Sequence, residues 1–163
     1  MKTNTAGKIY NLSQLADLRQ EWKSKHEVVV FTNGCFDILH LGHVDYLEKA
    51  AAQGDRLIIG LNTDKSVSQL KGPERPVTDE KSRSRLIAAL AFVDAVVLFS
   101  EETPLKLIES LVPDVLIKGK DYSIENIVGA DFVMKNGGRV ATIELVDGYS
   151  TTKIVEKIKR SSI

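Results

Sequence analysis

The chain reads as an α/β protein, a parallel sheet with helices laid on both faces. Short apolar runs rich in β-branched residues recur along it, as in Val28-Val29-Val30-Phe31 and Leu57-Ile58-Ile59-Gly60-Leu61. These runs lack the polar alternation of a strand wet on one side, so both of their faces are buried. Segments with helical apolar spacing separate them, and strands alternating with helices make a parallel sheet.

Taken in order, residues 1–8 are polar and are expected to be loose. Leu12, Leu15, Leu18 and Trp22 recur at helical spacing and predict a helix over 12–25. A strand at 28–31 leads into a loop at 33–39. Val44, Leu47, Ala50 and Ala51 mark a second helix, stopped by Gly54. A strand at 57–61 and a short helix at 63–70 follow. Two prolines and a glycine make Lys71-Gly72-Pro73-Glu74-Arg75-Pro76 a loop. Then come a helix over 79–91, a strand at 95–99, and a helix at 104–111 whose Pro104 suits a first turn. A strand at 115–117 precedes a helical region within 124–135. Asn136-Gly137-Gly138 turns the chain into a strand near 139–145, and Ser150 opens a last helix carrying Ile154, Val155 and Ile158.

Right-handed crossovers turn this order into a Rossmann-like, doubly wound parallel sheet of about five strands. Residues 1–26 form an N-terminal extension and helix ahead of a body spanning 27–163, with one structural domain overall. Such sheets bind ligands beyond the carboxyl ends of their strands, where strand order reverses. The 33–39 loop lies at such an end.

With 163 residues, 43% of them hydrophobic and 27% charged, the chain can bury a core without staples. Its formal net charge is +0, which removes the electrostatic case for a nucleic-acid or anionic-membrane partner. The lone Cys35 excludes an intramolecular disulfide. The polar N-terminus has no signal-peptide core, and the longest apolar stretch, Leu86 to Phe99, is broken by Asp94. A cytoplasmic location is expected.

The chemistry gathers in Asn33-Gly34-Cys35-Phe36-Asp37-Ile38-Leu39-His40-Leu41-Gly42-His43. Asn33-Gly34 permits a tight turn and close backbone approach. His40 and His43 stand at the mouth of the next helix, where free N–H groups and the dipole favour a polyphosphate. Two imidazoles there can donate to phosphoryl oxygens, and Gly42 lets a phosphate come near. Other readings of the same residues are a hairpin at Asn33-Gly34, two surface histidines, or a metal site of Cys35, Asp37, His40 and His43. Cys35 has no base of its own within the turn and reads as a packing or backbone-contact residue.

Gly34-x-Phe36-Asp37-x-x-His40-x-Gly42-His43 resembles the signature of the cytidylyltransferase-like nucleotidyltransferase superfamily, the HxGH type. The resemblance implies that the histidine pair binds a nucleoside triphosphate and stabilises transfer of its α-phosphoryl group. Residues 31–43, Gly60-Leu61-Asn62-Thr63-Asp64, Leu70 to Pro76, Leu116 to Tyr122 and Gly148 to Ile154 are similar to the adenylyltransferases of ADP-heptose synthesis. Those enzymes join ATP to D-glycero-β-D-manno-heptose 1-phosphate for lipopolysaccharide core or other heptose-containing glycans. Many carry a fused sugar kinase. A chain of this length resembles the stand-alone form, with a separate heptose kinase in its pathway. Glycerol-3-phosphate cytidylyltransferases share the histidine motif but carry Arg-Thr before their Gly-Ile-Ser-Thr-Thr segment; here Leu145-Val146-Asp147 stands there instead. A non-catalytic nucleotide-binding module is the third possibility.

The resemblance and the placement together nominate His40, His43 and Lys71 as catalytic groups. Asn33, Gly34, Cys35, Phe36, His40, Gly42, His43, Lys118, Gly119, Asp121, Ser150 and Thr151 are the expected nucleotide contacts, and Asp37, Lys71 and Arg75 the acceptor contacts. Ser150 and Thr151 equally suit a plain helix cap, Asp121 a cap, and Lys71 and Arg75 a solvated pair. Arg83 is a weaker candidate, and His26 reads as surface. The expected partners are ATP and a sugar 1-phosphate, with Mg²⁺ carried by the triphosphate and no protein metal site. The first helix, with its leucines and Trp22, offers a homodimer contact.

Overall fold

The computed structural model describes residues 4–161. Six strands, β1 (Ile9–Tyr10), β2 (Val29–Gly34), β3 (Arg56–Asn62), β4 (Ala95–Phe99), β5 (Val115–Gly119) and β6 (Arg139–Ile143), form one sheet in the order β1-β4-β3-β2-β5-β6. Every pairing is parallel. Seven α-helices link or follow them: α1 (Leu12–Ser24), α2 (Leu41–Ala51), α3 (Asp64–Lys71), α4 (Glu80–Ala89), α5 (Leu105–Leu111), α6 (Ala130–Lys135) and α7 (Thr151–Ser161).

The continuous apolar runs follow from two cores, one on each side of the sheet. Val29 and Phe31 point into the core with Leu15, Trp22, Leu107, Ile108 and Val133. Val30 between them points into the other, with Tyr46, Leu47, Ala50, Ile87 and Ala88. Helices α1, α5 and α6 thus cover one face, and α2 and α4 the other. Each large apolar side chain so buried contributes roughly 1.5–3 kcal/mol. Leu15 and Trp22 are 0% and 5% exposed, so the apolar face of α1 is used inside the molecule and does not supply the dimer surface expected of it.

Local signals fix where the helices begin. Asn11 and Gln14 form a reciprocal capping box at α1. Thr63 accepts from the Ser66 amide at α3, and Asp79 from the Ser82 amide at α4.

The sheet has one more strand than expected. Residues 1–3 of the segment expected to be loose lie outside the described residues. Thr5–Lys8 instead forms a 3-10 turn capped by the Asn4 side chain, and it delivers β1 to the edge of β4. Two residues are too few to carry a periodic signal, so β1 is visible only through its partner. The 124–135 region divides into a 3-10 turn at Ile124–Asn126 and α6, with Gly129 at φ +85° between them. Among the described residues no helix is long and apolar enough to cross a membrane.

The topology places the site. From β2 the chain steps outward through β3 to β4, and then returns to the opposite side of β2 as β5. The loops leaving β2 and β5 therefore diverge, and a crevice opens between them at the carboxyl edge.

Candidate active site

The turn after β2 is held in an unusual shape. Phe36 and Ile38 have φ values of +45° and +51°, left-handed for residues with a Cβ. Such conformations cost on the order of 1–3 kcal/mol each and persist only where surroundings enforce them. The residue between supplies the enforcement. Asp37 is 2% exposed. Its carboxylate accepts from Arg75 Nε at 2.9 Å, the Val77 amide at 2.8 Å, the Thr78 amide at 3.0 Å and the Thr78 hydroxyl at 2.9 Å. Burial would raise the carboxyl, but these donors outweigh it and hold Asp37 below the usual carboxylate range.

Each Asp37 oxygen already has two donors, so the direct acceptor contact expected of this residue gives way to a different task. Its carboxylate pins the 75–78 segment, and with it the Lys71 loop, against the turn. Thr151 pins α7 to the same residue, its hydroxyl donating to the Asp37 carbonyl at 2.6 Å.

His40 is the N-cap residue of α2, yet no side chain caps that helix. The His40 and His43 rings stack at 3.7 Å between centroids and 22° between planes. The edge of Phe36 meets His43 at 5.3 Å. Burial pushes His40 down, and burial with the neighbouring His40 pushes His43 down to about 4. Both imidazoles are thus neutral near pH 7. Gly42 gives them room, since a Cβ there would lie 3.1 Å from His40 Nδ1 and 3.2 Å from Tyr149 Cβ.

Among the described residues, buried side-chain polar atoms without a partner are few: Arg19 Nη1, Asn33 Oδ1, His40 Nδ1 and His43 Nδ1. All but the first belong to residues lining one cavity of about 570 Å³ beyond the ends of β2 and β5. Buried polar atoms without partners carry a desolvation penalty of about 1–3 kcal/mol each. Their clustering points to a polar ligand.

Every residue nominated for catalysis or for nucleotide or acceptor contact lines this cavity, from Asn33 to Thr151. Lys118 is the cation at the end of β5. Burial pushes it down to about 8, and its Nζ lies 5.6 Å from the Tyr122 ring centre. Ser150 caps α7, accepting from the Lys153 amide at 3.2 Å. Cys35 keeps its proton, burial pushing the thiol up.

Arg83 and His26 stand apart from it. Arg83 is 1% exposed and donates to the carbonyls of Thr78, Cys35 and Asn62 and to Asp64 at 2.7–3.0 Å. It is an internal brace between the turn, β3 and the loop before α4. His26 is exposed at the turn before β2.

Tyr46, Asn62, Tyr149 and Thr152 also line the cavity and were not singled out beforehand. Tyr46 lies one helical turn beyond His43, a spacing that could have flagged it. Asn62 closes β3, inside the Gly60-Leu61-Asn62-Thr63-Asp64 segment that carries the resemblance.

Comparison with known proteins gives this geometry its family. Residues 31–157 match the family described as cytidylyltransferase-like. The chain belongs to that family. It is a nucleotidyltransferase, and its HxGH histidines are the stacked pair at the cavity.

This nucleotidyltransferase is 57% identical to the bifunctional protein HldE of Magnetococcus marinus over 151 residues, 93% of this chain and 31% of that protein. It is 56% identical to the HldE of Citrifermentans bemidjiense over 154 residues, 94% of this chain and 32% of that one. The chain thus spans about a third of the length of these relatives. Among solved structures it is similar to the lipopolysaccharide core biosynthesis protein from Thermoplasma volcanium, at 31% identity and a TM-score of 0.59, covering 76% of this chain and 99% of that one. A pantoate-beta-alanine ligase from Francisella tularensis shares the fold at 15% identity and a TM-score of 0.60, over 95% of this chain and 78% of that one.

Proposed function

We propose that this nucleotidyltransferase moves AMP from ATP to D-glycero-β-D-manno-heptose 1-phosphate, forming ADP-heptose and pyrophosphate. The product would serve lipopolysaccharide core or other heptose-containing glycans, and a heptose kinase activity would supply the acceptor. The observation that carries the nucleotidyl-transfer chemistry is the convergence of Asn33 Oδ1, His40 Nδ1 and His43 Nδ1, all buried without partners, in one cavity at the uncapped start of α2. The HldE relatives and the residues shared with adenylyltransferases of ADP-heptose synthesis support the choice of nucleotide and sugar. Leu145, where glycerol-3-phosphate cytidylyltransferases have an arginine region, supports it further, since it presents an apolar side chain to the cavity.

In this reading an ionised oxygen of the sugar phosphate attacks the α-phosphorus of ATP in line. A new P–O bond forms, the bond from the α-phosphorus to the α–β bridging oxygen breaks, and pyrophosphate leaves with that electron pair. No proton has to be removed from the nucleophile. The protein's task is positioning and neutralisation of charge. Neutral imidazoles suit it, because each can donate one N–H to the phosphoryl oxygens without charging a buried ring. Lys71 and the start of α7, with Ser150 and Thr151, would face the phosphates as charge moves to the leaving group. Lys118, Gly119 and Asp121 would border the nucleoside.

Magnesium is proposed to arrive on the triphosphate, held by phosphate oxygens and water. Among the described residues no group of three or more His, Cys, Asp or Glu could hold a metal ion.

Pyrophosphate release, assayed across ATP and CTP paired with the heptose 1-phosphate and glycerol 3-phosphate, tests the proposal. Release is expected with ATP and the heptose phosphate. Release confined to CTP with glycerol 3-phosphate would replace it by a cytidylyltransferase, and nucleotide binding without release would leave only a binding module.

A further inference from the structure

A polar residue is buried between the sheet and the histidine helix. β2 sends alternate side chains to opposite faces, so Thr32, two positions past Val30, points to the face that α2 covers. It is 0% exposed. Its hydroxyl lies 2.8 Å from the Tyr46 hydroxyl, a buried hydrogen bond in which either oxygen can donate. Tyr46 is buried as well, and burial pushes its phenol up to about 12, so it stays a protonated hydroxyl. The bond joins residues 14 positions apart, and the whole HxGH turn lies between them.

We propose that Tyr46 is a positioning residue, its hydroxyl bond to Thr32 setting the rotation of α2 and hence the place of the His43 ring in the cavity. The inference rests on the nucleotidyl-transfer reading given above. Tyr46 follows His43 by three residues, so both side chains lie on one side of the helix, one turn apart. The neighbouring anchors of α2, Leu47 and Ala50, are apolar and fully buried in the same core. Apolar contact is non-directional, and it holds a helix to a sheet without fixing its rotation. A hydrogen bond constrains both distance and direction.

Nothing else on the helix side does this work. No side chain caps α2, and the Asp37 carboxylate grips the 75–78 segment and the turn ahead of the helix. The histidines are therefore held from one side by Asp37, three positions before His40, and from the other by Tyr46, three positions after His43. Stability alone gives no reason for the pair. Two apolar groups of the same shape are about as stable in a core as two bonded hydroxyls, so what the pair adds is a defined geometry.

The test measures pyrophosphate release from ATP and the heptose 1-phosphate, beside thermal melting, in Thr32→Val, Tyr46→Phe, the double variant and Thr32→Ser. Each of the first two is expected to lose roughly tenfold in kcat with the KM for ATP within about twofold, because a small misplacement of a catalytic group is costly. Thr32 has no surface for a ligand to touch, so its effect must pass through Tyr46. The double variant should lose no more kcat than either single one, since both remove the same bond. Its melting temperature should return toward wild type while kcat stays low. Thr32→Ser keeps the hydroxyl and should recover most of what Thr32→Val loses.

A Thr32→Val kcat within twofold of wild type overturns the proposal. A loss in Tyr46→Phe alone also overturns it and makes Tyr46 a direct ligand contact, and a double variant that recovers kcat together with its melting temperature assigns the pair to stability. Histidine ring NMR adds a readout that needs no substrate, the chain having three histidines. The His43 signals should move in Thr32→Val while those of exposed His26 stay in place, and unmoved His43 signals overturn the positioning role even if the tyrosine variant fails to fold. A wild-type enzyme that releases no pyrophosphate from any pair, with His43 signals that still follow Thr32→Val, sinks the transfer reading instead and leaves the Tyr46 geometry standing.

Discussion

The hydroxyl of Thr151 donates to the backbone carbonyl of Asp37 at 2.6 Å, joining residues 114 positions apart in the chain. Helix α7 has no buried residue, so this bond is a main tether of its first turn to the site. Thr151→Val keeps the shape and removes the donor. The expected result is a loss of about tenfold in kcat/KM with a stability change of only about 1 kcal/mol, the net worth of one hydrogen bond. Steady-state kinetics beside urea denaturation would check it, and full activity in the variant would show that α7 needs no such tether.

The stacked histidines give a second expectation. His40→Ala and His43→Ala should each lower kcat by roughly 10²–10³, the usual effect of removing one electrostatic donor. Neither Nδ1 has a partner to lose, so stability should change by less than about 1 kcal/mol. Turnover near wild type in both variants would remove the pair from the mechanism.

Gly42 separates packing from catalysis. Alanine is the better helix former by about 1 kcal/mol, so Gly42→Ala should not destabilise α2 through its backbone. Its methyl group would press on the His40 ring and on Tyr149 at 3.1–3.2 Å. A melting temperature close to wild type with a fall of at least tenfold in kcat is expected, since a small misplacement of a catalytic group is costly. Unaltered kcat would mean that the ring position is not critical.

His43 also sets a pH dependence. Its folded-state value of about 4 lies below its ordinary 6.5. Between those limits the unfolded chain binds a proton that the folded chain does not. Stability from this group is therefore fully present above pH 6.5, falls as the pH drops through the window, and is lost below about 4. The fall amounts to at most about 3 kcal/mol, at 1.36 kcal/mol per unit. Urea midpoints at pH 7 and pH 4.5 for wild type and His43→Gln check this. The variant should show the smaller drop, and parallel drops would assign the effect elsewhere.

Much of the architecture was legible because local signals agreed with the final fold. The runs at 28–31, 57–61 and 95–99 are continuous in apolar residues since alternate side chains feed opposite cores. Caps such as Asn11, Asp79 and Ser150 act within their own turn of chain, so a sequence carries them openly. The members of the site were legible through their motifs, which kept His40, Gly42 and His43 together. The roles of Asp37 and Arg83 were not. A charged residue in a sequence looks solvated, and only the carbonyls and amides that converge on it in space turn it into a brace.

The sequence by itself determined which segments form strands and helices and which turn carries the HxGH motif, because periodicity, capping and motif spacing act over a few residues. Only the tertiary structure decided that β5 returns beside β2 and that the 75–78 loop and α7 both fasten to Asp37. Those outcomes depend on contacts between distant parts of the chain. Whether such a contact forms is set by the shape of the packed sheet and by which buried polar atoms still lack a partner.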